Sequence, residues 1–332
     1  MNRKAEATAF LEGVGFPSPE LRYLAADASF RSYARFLAQG RSYVLMDAPP
    51  ATNGSGKAFL ETTAMLRAAN LSAPKIYDQN LAEGFIVLED LGDDLFATLC
   101  KSDPSLEAPL YEAAVKTLVT MQTEAIAELP PYDMQTYHKE SDLVLDWYIS
   151  VLQSLTDDAR EGFRSALQFA LDRLSTATTV FVHRDYHAEN LIWLPDRIRP
   201  ARVGLLDYQD ARAGHPAYDL VSLIEDARRD VSEPIRQKCI ALFCDLTGLD
   251  AAQLTADLSI LGAQRNLKIM GIFSRLWRRD GKDKYLPLIP HVYALLQHDL
   301  IHPAVKELAT WCSIYLPLPD DAIIAKIRNT SE

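Results

Sequence analysis

The sequence predicts an α+β chain of two lobes, a small β-rich N-lobe and a large, mainly helical C-lobe. Three observations carry this. At 332 residues the chain exceeds one average core. Residues 20 to 92 read mostly as short strands. From Asp93 onward, long helix-period segments take over, so the boundary falls near Leu91 to Asp94, between an N-terminal lobe over 1–91 and a C-terminal lobe over 92–332.

The opening MNRKAEATAFLEGVGF reads as a short amphipathic helix whose acids interrupt any apolar run, unlike a targeting signal. LRYLAAD and FRSYARFLA are short, aromatic-rich and partly alternating, and QGR turns the chain into SYVLMDAP. After the loop PPATNGSG, Lys57 to Asn70 has helical spacing, followed by the strand PKIYDQN, the turn LAEG and the apolar strand GFIVLEDLG. Helical periods then run over about 107–126, 139–154 and 157–175. A β patch of TVFVH, LIWLP and RVGLLDYQD interrupts the helices, its strands separated by HRDYHAEN and the turn DRIRP. Four or five further helices follow, one opening at GHPAYDL, where Pro216 suits a first helical turn.

Composition narrows the function classes. Hydrophobic content of 48% with 24% charged residues describes a soluble globular protein. No stretch reaches the roughly 18 apolar residues of a membrane span. Four scattered cysteines, Cys100, Cys239, Cys244 and Cys312, suggest reduced thiols in a cytoplasm. The net charge of -11 argues against a nucleic-acid partner, which needs a positive face. One region opposes that balance: Arg265 to Lys284 holds seven Lys or Arg and two acids.

HRDYHAEN, from His183 to Asn190, admits three readings. His183, Asp185 and His187 stand two apart and could share a strand face as zinc ligands. A polar turn bonded locally is the second. The third uses more residues at once. Phosphoryl transfer needs a carboxylate beside the attacking hydroxyl and oxygen ligands for Mg²⁺. HRD with an Asn five residues after its Asp matches the protein-kinase loop H-R-D-L-x-x-x-N. Asp207, 22 residues after Asp185 at the end of an apolar strand, stands where the D-F-G Asp would, with Asp210 a lesser substitute.

HRDYHAEN, with His187 two residues after Asp185 and no A-P-E after DYQD, resembles the aminoglycoside phosphotransferase-like small-molecule kinases. SFRSY, YVLMDAPP, VLEDLG, LLDYQDARAGHPAYDLVSLIEDARRDV and GIFSRLWRRDGK look like one branch of that family, the anomeric sugar kinases of cell-wall recycling. The resemblance covers nearly the whole chain. It implies the two-lobed, protein-kinase-like fold, a nucleotide-binding N-terminal lobe and a catalytic, acceptor-binding C-terminal lobe. It also implies ATP-dependent phosphorylation of N-acetylmuramate and N-acetylglucosamine at the anomeric hydroxyl, followed by a uridylyltransferase. Asp185 would be the catalytic base, Asn190 and Asp207 the Mg²⁺ ligands, and Asp219 the tie between the catalytic loop and the next helix. A cytoplasmic monomer is the default. Alternatives are a related kinase for another sugar or an amino alcohol, a nucleotide-binding pseudokinase, and a zinc hydrolase.

At the nucleotide end, VLEDLG resembles the kinase hinge, with backbone groups of Glu89 and Leu91 bonding adenine, and Glu61 matches the helix-C acid by position. The lysine that should meet Glu61 is missing, because Met46 occupies its place in YVLMDAPP. Arg31 and Arg35 share a face of FRSYARF, and Arg31 is the expected substitute, above a DAS loop without the kinase glycines. NGSGK mimics a Walker motif, but Ala51 and Ala58 replace its first Gly and its Ser/Thr. At the acceptor end, Arg265, Lys268, Ile272, Arg275 and Arg279 recur at helical spacing. Such a stripe is either a solvated face or a grip for an anionic acceptor, with Arg275 the expected contact for a lactyl carboxylate. Tyr208 and His187 are the other acceptor candidates; Trp277 is either a sugar-stacking or a core residue.

Overall fold

The computed structural model describes residues 3–17, 19–24, 31–125 and 128–330. The chain packs as two units, Met1–Leu106 with Glu189–Ala211, and Glu107–Ala188 with Arg212–Glu332. Packing therefore divides the chain differently from the expected break after residue 91. Residues 92–106 and one hairpin of the later segment belong with the N-terminal sheet.

In the first unit, five antiparallel strands run in the order β1-β2-β3-β5-β4. They are β1 (Arg22–Tyr23), β2 (Ser32–Ala38), β3 (Arg41–Asp47), β4 (Ile76–Asn80) and β5 (Phe85–Glu89), with helices α1 (Arg3–Gly13), α2 (Pro50–Asn53), α3 (Lys57–Ala68) and α4 (Phe96–Ser102) around them in sequence. The expected order of strands and helix between 20 and 92 is observed, with α2 as an extra turn. The β2–β3 hairpin closes through Gln39 and Gly40, both at positive φ, which matches the twist of a two-residue turn. Side chains alternate between the faces of the sheet. Phe36, Tyr43, Leu45, Phe85 and Val87 pack with Phe10 and Leu11 of α1, each fully buried large side chain contributing roughly 1.5–3 kcal/mol. The opposite face carries the cross-strand row Arg35–Val44–Leu88. The hairpin β7 (Leu191–Trp193) with β8 (Val203–Leu205) bridges to Leu95 and Ser72. A Cβ on Gly204 would stand 3.0 Å from the Leu91 Cδ1 and 3.2 Å from the Ile192 Cβ, so any larger residue would have to push these side chains aside.

The second unit is helical. It comprises α5 (Glu107–Glu124), α6 (Met134–Leu143), α7 (Asp157–Leu171), α8 (Ala217–Ile224), α9 (Glu233–Thr247) and α10 (Ala251–Arg278). To these it adds α11 (Ile289–Asp299), α12 (Lys306–Tyr315), α13 (Asp321–Arg328) and the pair β6 (Val180–Val182) with β9 (Arg212–Gly214). The 28-residue α10 is its spine, buried along most of its length. At Gly271 a Cβ would lie 2.3 Å from the Leu143 backbone, so the crossing requires glycine. Six α-helices follow β9 among the described residues, more than the expected four or five. The helix expected at 139 starts earlier because Asp133 caps it, accepting from the Thr136 N–H at 2.8 Å. Strand β9 escapes sequence reading because Arg-Ala-Gly has no alternation, and it forms only by pairing with β6.

Candidate active site

The first unit holds a cavity of about 460 Å³, in the range of small-molecule sites. Val44 and Leu88 of the sheet line it, as do Ile192 and Leu206, an apolar combination suited to a flat base. Glu89 to Asp93 form another stretch of wall, and Arg31, Asn190 and Asp207 make its polar part. The cavity thus combines an apolar slot with a cation and two oxygen donors.

Local structure explains each of these. Arg31, Tyr33 and Arg35 all line the cavity, as period-two alternation requires. Arg35 is committed elsewhere, with Nε 2.6 Å from Asp90 and Nη1 2.8 Å from Asp93. Arg31 lies 3.6 Å from the Asp207 carboxylate. Met46, in register between Tyr33 and Ile86, is buried in the sheet, so no strand-three cation stands there. Asp207 has φ of 58°, a left-handed conformation that Asp tolerates better than most residues. Strain of this kind gathers at functional sites when the surroundings enforce it. Here the Leu205 N–H donates to the Ser72 carbonyl and the Leu206 N–H to that of Asn190, both at 3.0 Å, holding the approach to Asp207. An amide and a carboxylate oxygen are the hard donors Mg²⁺ takes, so Asn190 and Asp207 fit that ion.

Two expected nucleotide-end roles and one acceptor role change. Glu61 is more than half exposed, pairs with Lys57 at 3.4 Å and is absent from the cavity lining. The Glu89 N–H donates to the Lys75 carbonyl at 2.8 Å, and its carboxylate accepts from Arg197 at 2.5 Å, so the hinge donor left is Leu91. Tyr208, expected as an acceptor contact, is fully buried, stacked on Phe59 at 5.3 Å and bonded to Thr63 at 2.8 Å. Packing claims it as a brace between α3 and Asp207. The DAS loop lies outside the described residues.

In the second unit the loop after β6 carries Asp185. Asp219 of α8 accepts the His183 N–H at 2.6 Å and the Arg184 N–H at 2.9 Å, the tie that the family resemblance implied. Those bonds hold Arg184 at φ of 77°, a conformation that costs of order 1–3 kcal/mol in a non-glycine residue. Tyr186 is fully buried and donates to the Ala114 carbonyl at 2.8 Å. Burial pushes the Asp219 carboxyl up to about 7. Burial also opposes the charge of Asp185, but neighbouring groups, Lys268 first among them, outweigh it and hold that carboxyl below the usual range.

His187 has a different part from the acceptor contact expected of it. It is buried, receives a bond from Arg228 at 3.1 Å, and is driven by burial and then Arg228 to about 4, hence neutral at pH 7. The zinc reading also fails geometrically: the group of three converging metal donors among the described residues is Glu225, His298 and Asp299. The basic stripe on α10 is buried at its Arg265–Lys268 end and exposed by Arg279. Arg265 is buried, donating to Ser222 and the Glu225 carbonyl at 3.0 Å. Arg279 pairs with Asp280 at 2.7 Å, and Trp277 donates to the Arg328 carbonyl at 3.2 Å, a packing role. Arg275 is half-buried, with Nε lacking an acceptor and its pKa lowered by burial and then by Arg279.

Sequence reading missed Glu140 and gave Lys268 no role of its own. Glu140 of α6 bonds both Arg184 and Lys268, the latter at 3.0 Å. No local signal marks it; HKESD is an ordinary polar helix segment.

Residues 20–254 match the phosphotransferase enzyme family model. A relative from Caulobacter vibrioides, named N-acetylmuramate/N-acetylglucosamine kinase, is 36% identical, covering 95% of this chain and 97% of its own. A relative of that name from Pseudomonas aeruginosa is 31% identical over 94% of this chain and 92% of its own. Among solved structures, choline kinase LicA from Streptococcus pneumoniae superposes with a TM-score of 0.65 at 15% identity, covering 93% of this chain and all of that one. An ADP-bound aminoglycoside phosphotransferase gives 0.62 at 16% identity, covering 93% of this chain and 99% of that one. These structures share the two-lobed, protein-kinase-like architecture expected from the sequence. With a family model matching most of its length and near-full-length relatives above 30% identity, the chain belongs to the phosphotransferase enzyme family.

Proposed function

We propose that the chain transfers the γ-phosphoryl group of ATP to the anomeric hydroxyl of N-acetylmuramate and N-acetylglucosamine. The product would feed a uridylyltransferase in cytoplasmic peptidoglycan recycling, and the chain would act as a monomer. Likeness across nearly the full length of four relatives bearing that name carries the acceptor assignment. The cavity supports the nucleotide assignment through its apolar slot and its polar part at Arg31, Asn190 and Asp207. In this reading 1–91 is the nucleotide-binding lobe and 92–332 the catalytic and acceptor-binding lobe.

Transfer in line demands positioning and charge stabilisation more than covalent chemistry. Asp185, ionised, orients the anomeric hydroxyl and takes its proton. The Leu91 backbone bonds the adenine edge. Arg31 supplies the cation that Met46 does not. Asn190 and Asp207 would hold Mg²⁺, which when bound neutralises phosphate charge. Arg275 would read the lactyl carboxylate, which only N-acetylmuramate carries. Phosphorus NMR of the product formed from ATP and N-acetylmuramate should show a sugar 1-phosphate resonance split by the anomeric proton. A monoester elsewhere on the ring, or turnover only with an amino alcohol, would replace this assignment. The absence of turnover with any acceptor would favour a pseudokinase.

A further inference from the structure

Leu91, the proposed contact for the adenine edge, lies in a linker that leaves β5 at Glu89 and reaches α4 at Phe96. Residues 90–94 belong to no strand or helix, so bonds from outside the linker must fix its course. Asp90 and Asp93 flank Leu91 and Gly92, and Arg35 of β2 holds both. Its Nε stands 2.6 Å from Asp90 Oδ2, and its Nη2 donates to Asp90 Oδ1 at 3.0 Å. Nη1 and Nη2 also donate to the two Asp93 carboxylate oxygens, at 2.8 and 2.9 Å. Ser42 Oγ donates to the Asp90 carboxylate, and the Gly92 N–H donates to Asp90 Oδ1 at 3.0 Å. Gly92 has φ of 88°, a backbone region that glycine enters without steric cost.

The reach is long. Arg35 pairs with Val44 and Val44 with Leu88, so β3 lies between Arg35 and the strand that leads into the linker. Two strand spacings are roughly 10 Å. A guanidinium on a long stem spans that distance and, being a planar fork, grips two carboxylates at once, whereas an ammonium is a point charge. Arg35, Asp90, Leu91, Gly92 and Asp93 all line the cavity, so the latch and the segment it holds border the same space. Its two halves differ in strength. The Asp90 side chain is 8% exposed and that of Asp93 79%, so solvent screens the Asp93 pair and the Asp90 pair contributes more.

We infer that Arg35, by fastening Asp90 and Asp93 to β2, is a positioning residue that sets the Leu91 backbone for the adenine edge. The inference rests on the proposed nucleotide reading of the cavity. It gives Arg35 a part at the base end of the nucleotide, distinct from that proposed for Arg31 at the phosphates.

The test is calorimetric binding of AMP and of ATP, set beside steady-state kinetics with the sugar. Arg35→Ala should weaken AMP and ATP by the same factor, roughly three- to tenfold. A misplaced Leu91 loses about one neutral hydrogen bond to a base that both nucleotides carry. In turnover the loss should fall on the KM for ATP rather than on kcat or on the KM for the sugar. Asp90→Ala should behave the same way, and the double variant should lose less than the product of the two single losses, since both changes open one latch. Arg35→Lys, which can hold one carboxylate, should fall between, and it carries the same measurement should Arg35→Ala not fold. Weakening of ATP well beyond that of AMP would make Arg35 a phosphate contact and overturn the inference. So would a fall in melting temperature with AMP binding unchanged, or independent losses in the double variant. If the unmodified protein bound neither nucleotide, the nucleotide reading itself would fall and the inference with it, a failure distinct from these.

Discussion

The cavity of the first unit and the charge set of Glu140, Arg184 and Lys268 are built by different means. The cavity wall follows strand alternation: Arg31, Tyr33 and Arg35 reach one face because a strand repeats every two residues. The charge set has no such period. Glu140, Arg184, Tyr218 and Lys268 come from four separated stretches and meet only because α10 runs buried through the helical unit. A site built on one strand tolerates point changes one contact at a time, whereas a network in which one carboxylate serves two cations is coupled, so losing one member disturbs the others.

Five measurements would sharpen or break that contrast. Asp185→Asn should lower kcat by roughly 10²–10⁴ with ATP binding intact, since general-base assistance typically supplies that much; an unchanged kcat would place the base elsewhere. Asp207→Ala should cost roughly 10²–10³ in kcat, the loss seen when a preorganised electrostatic partner is removed, and extra Mg²⁺ should not recover it. Recovery in a Mg²⁺ titration would demote Asp207 to a secondary ligand.

Arg275→Ala should cost ten- to hundred-and-fifty-fold in kcat/KM for N-acetylmuramate, the value of a charge-assisted bond of about 1.5–3 kcal/mol. N-acetylglucosamine, which lacks the carboxylate, should lose little. Parallel losses on both sugars would assign Arg275 to the fold. Arg31→Ala should weaken ATP by about tenfold and AMP hardly at all, because only the longer phosphate chain uses the cation. Equal losses for both nucleotides would point to another cation. The smallest effect is expected for Tyr208→Phe, which deletes the bond to Thr63 and keeps the ring stack on Phe59. A stability loss of about 0.5–1.5 kcal/mol with unchanged KM for the sugar fits a brace. A raised sugar KM would restore Tyr208 as an acceptor contact.

The architecture was legible because periodicity and turn chemistry are local. QGR, GHPAYDL and the switch from period two to period 3.6 each depend on neighbours a few residues away. HRDYHAEN and DYQD were legible for a related reason: a loop that must present several polar groups within eight residues compresses its chemistry into one stretch. The tie from Asp219 to that loop followed from resemblance, and two backbone bonds bear it out.

Burial and pairing were decided only in three dimensions. Nothing local distinguishes Arg35, spent on Asp90 and Asp93, from Arg31, which shares a strand face with it. Likewise Tyr208 and His187 sit beside chemically important residues in sequence, yet packing closes both against their neighbours. The stripe on α10 has the spacing of one helix face in either environment. Whether Lys268 is solvated or joins a buried charge set depends on what covers that face, and the covering groups Glu140, Tyr132 and Tyr218 lie 50 to 136 residues away in sequence. Alternation and motif spacing are properties of the chain and were readable from it. The electrostatics of Asp185 depend on distances between segments that only the tertiary structure brings together, because charge interactions depend on separation in space and on the medium between the groups.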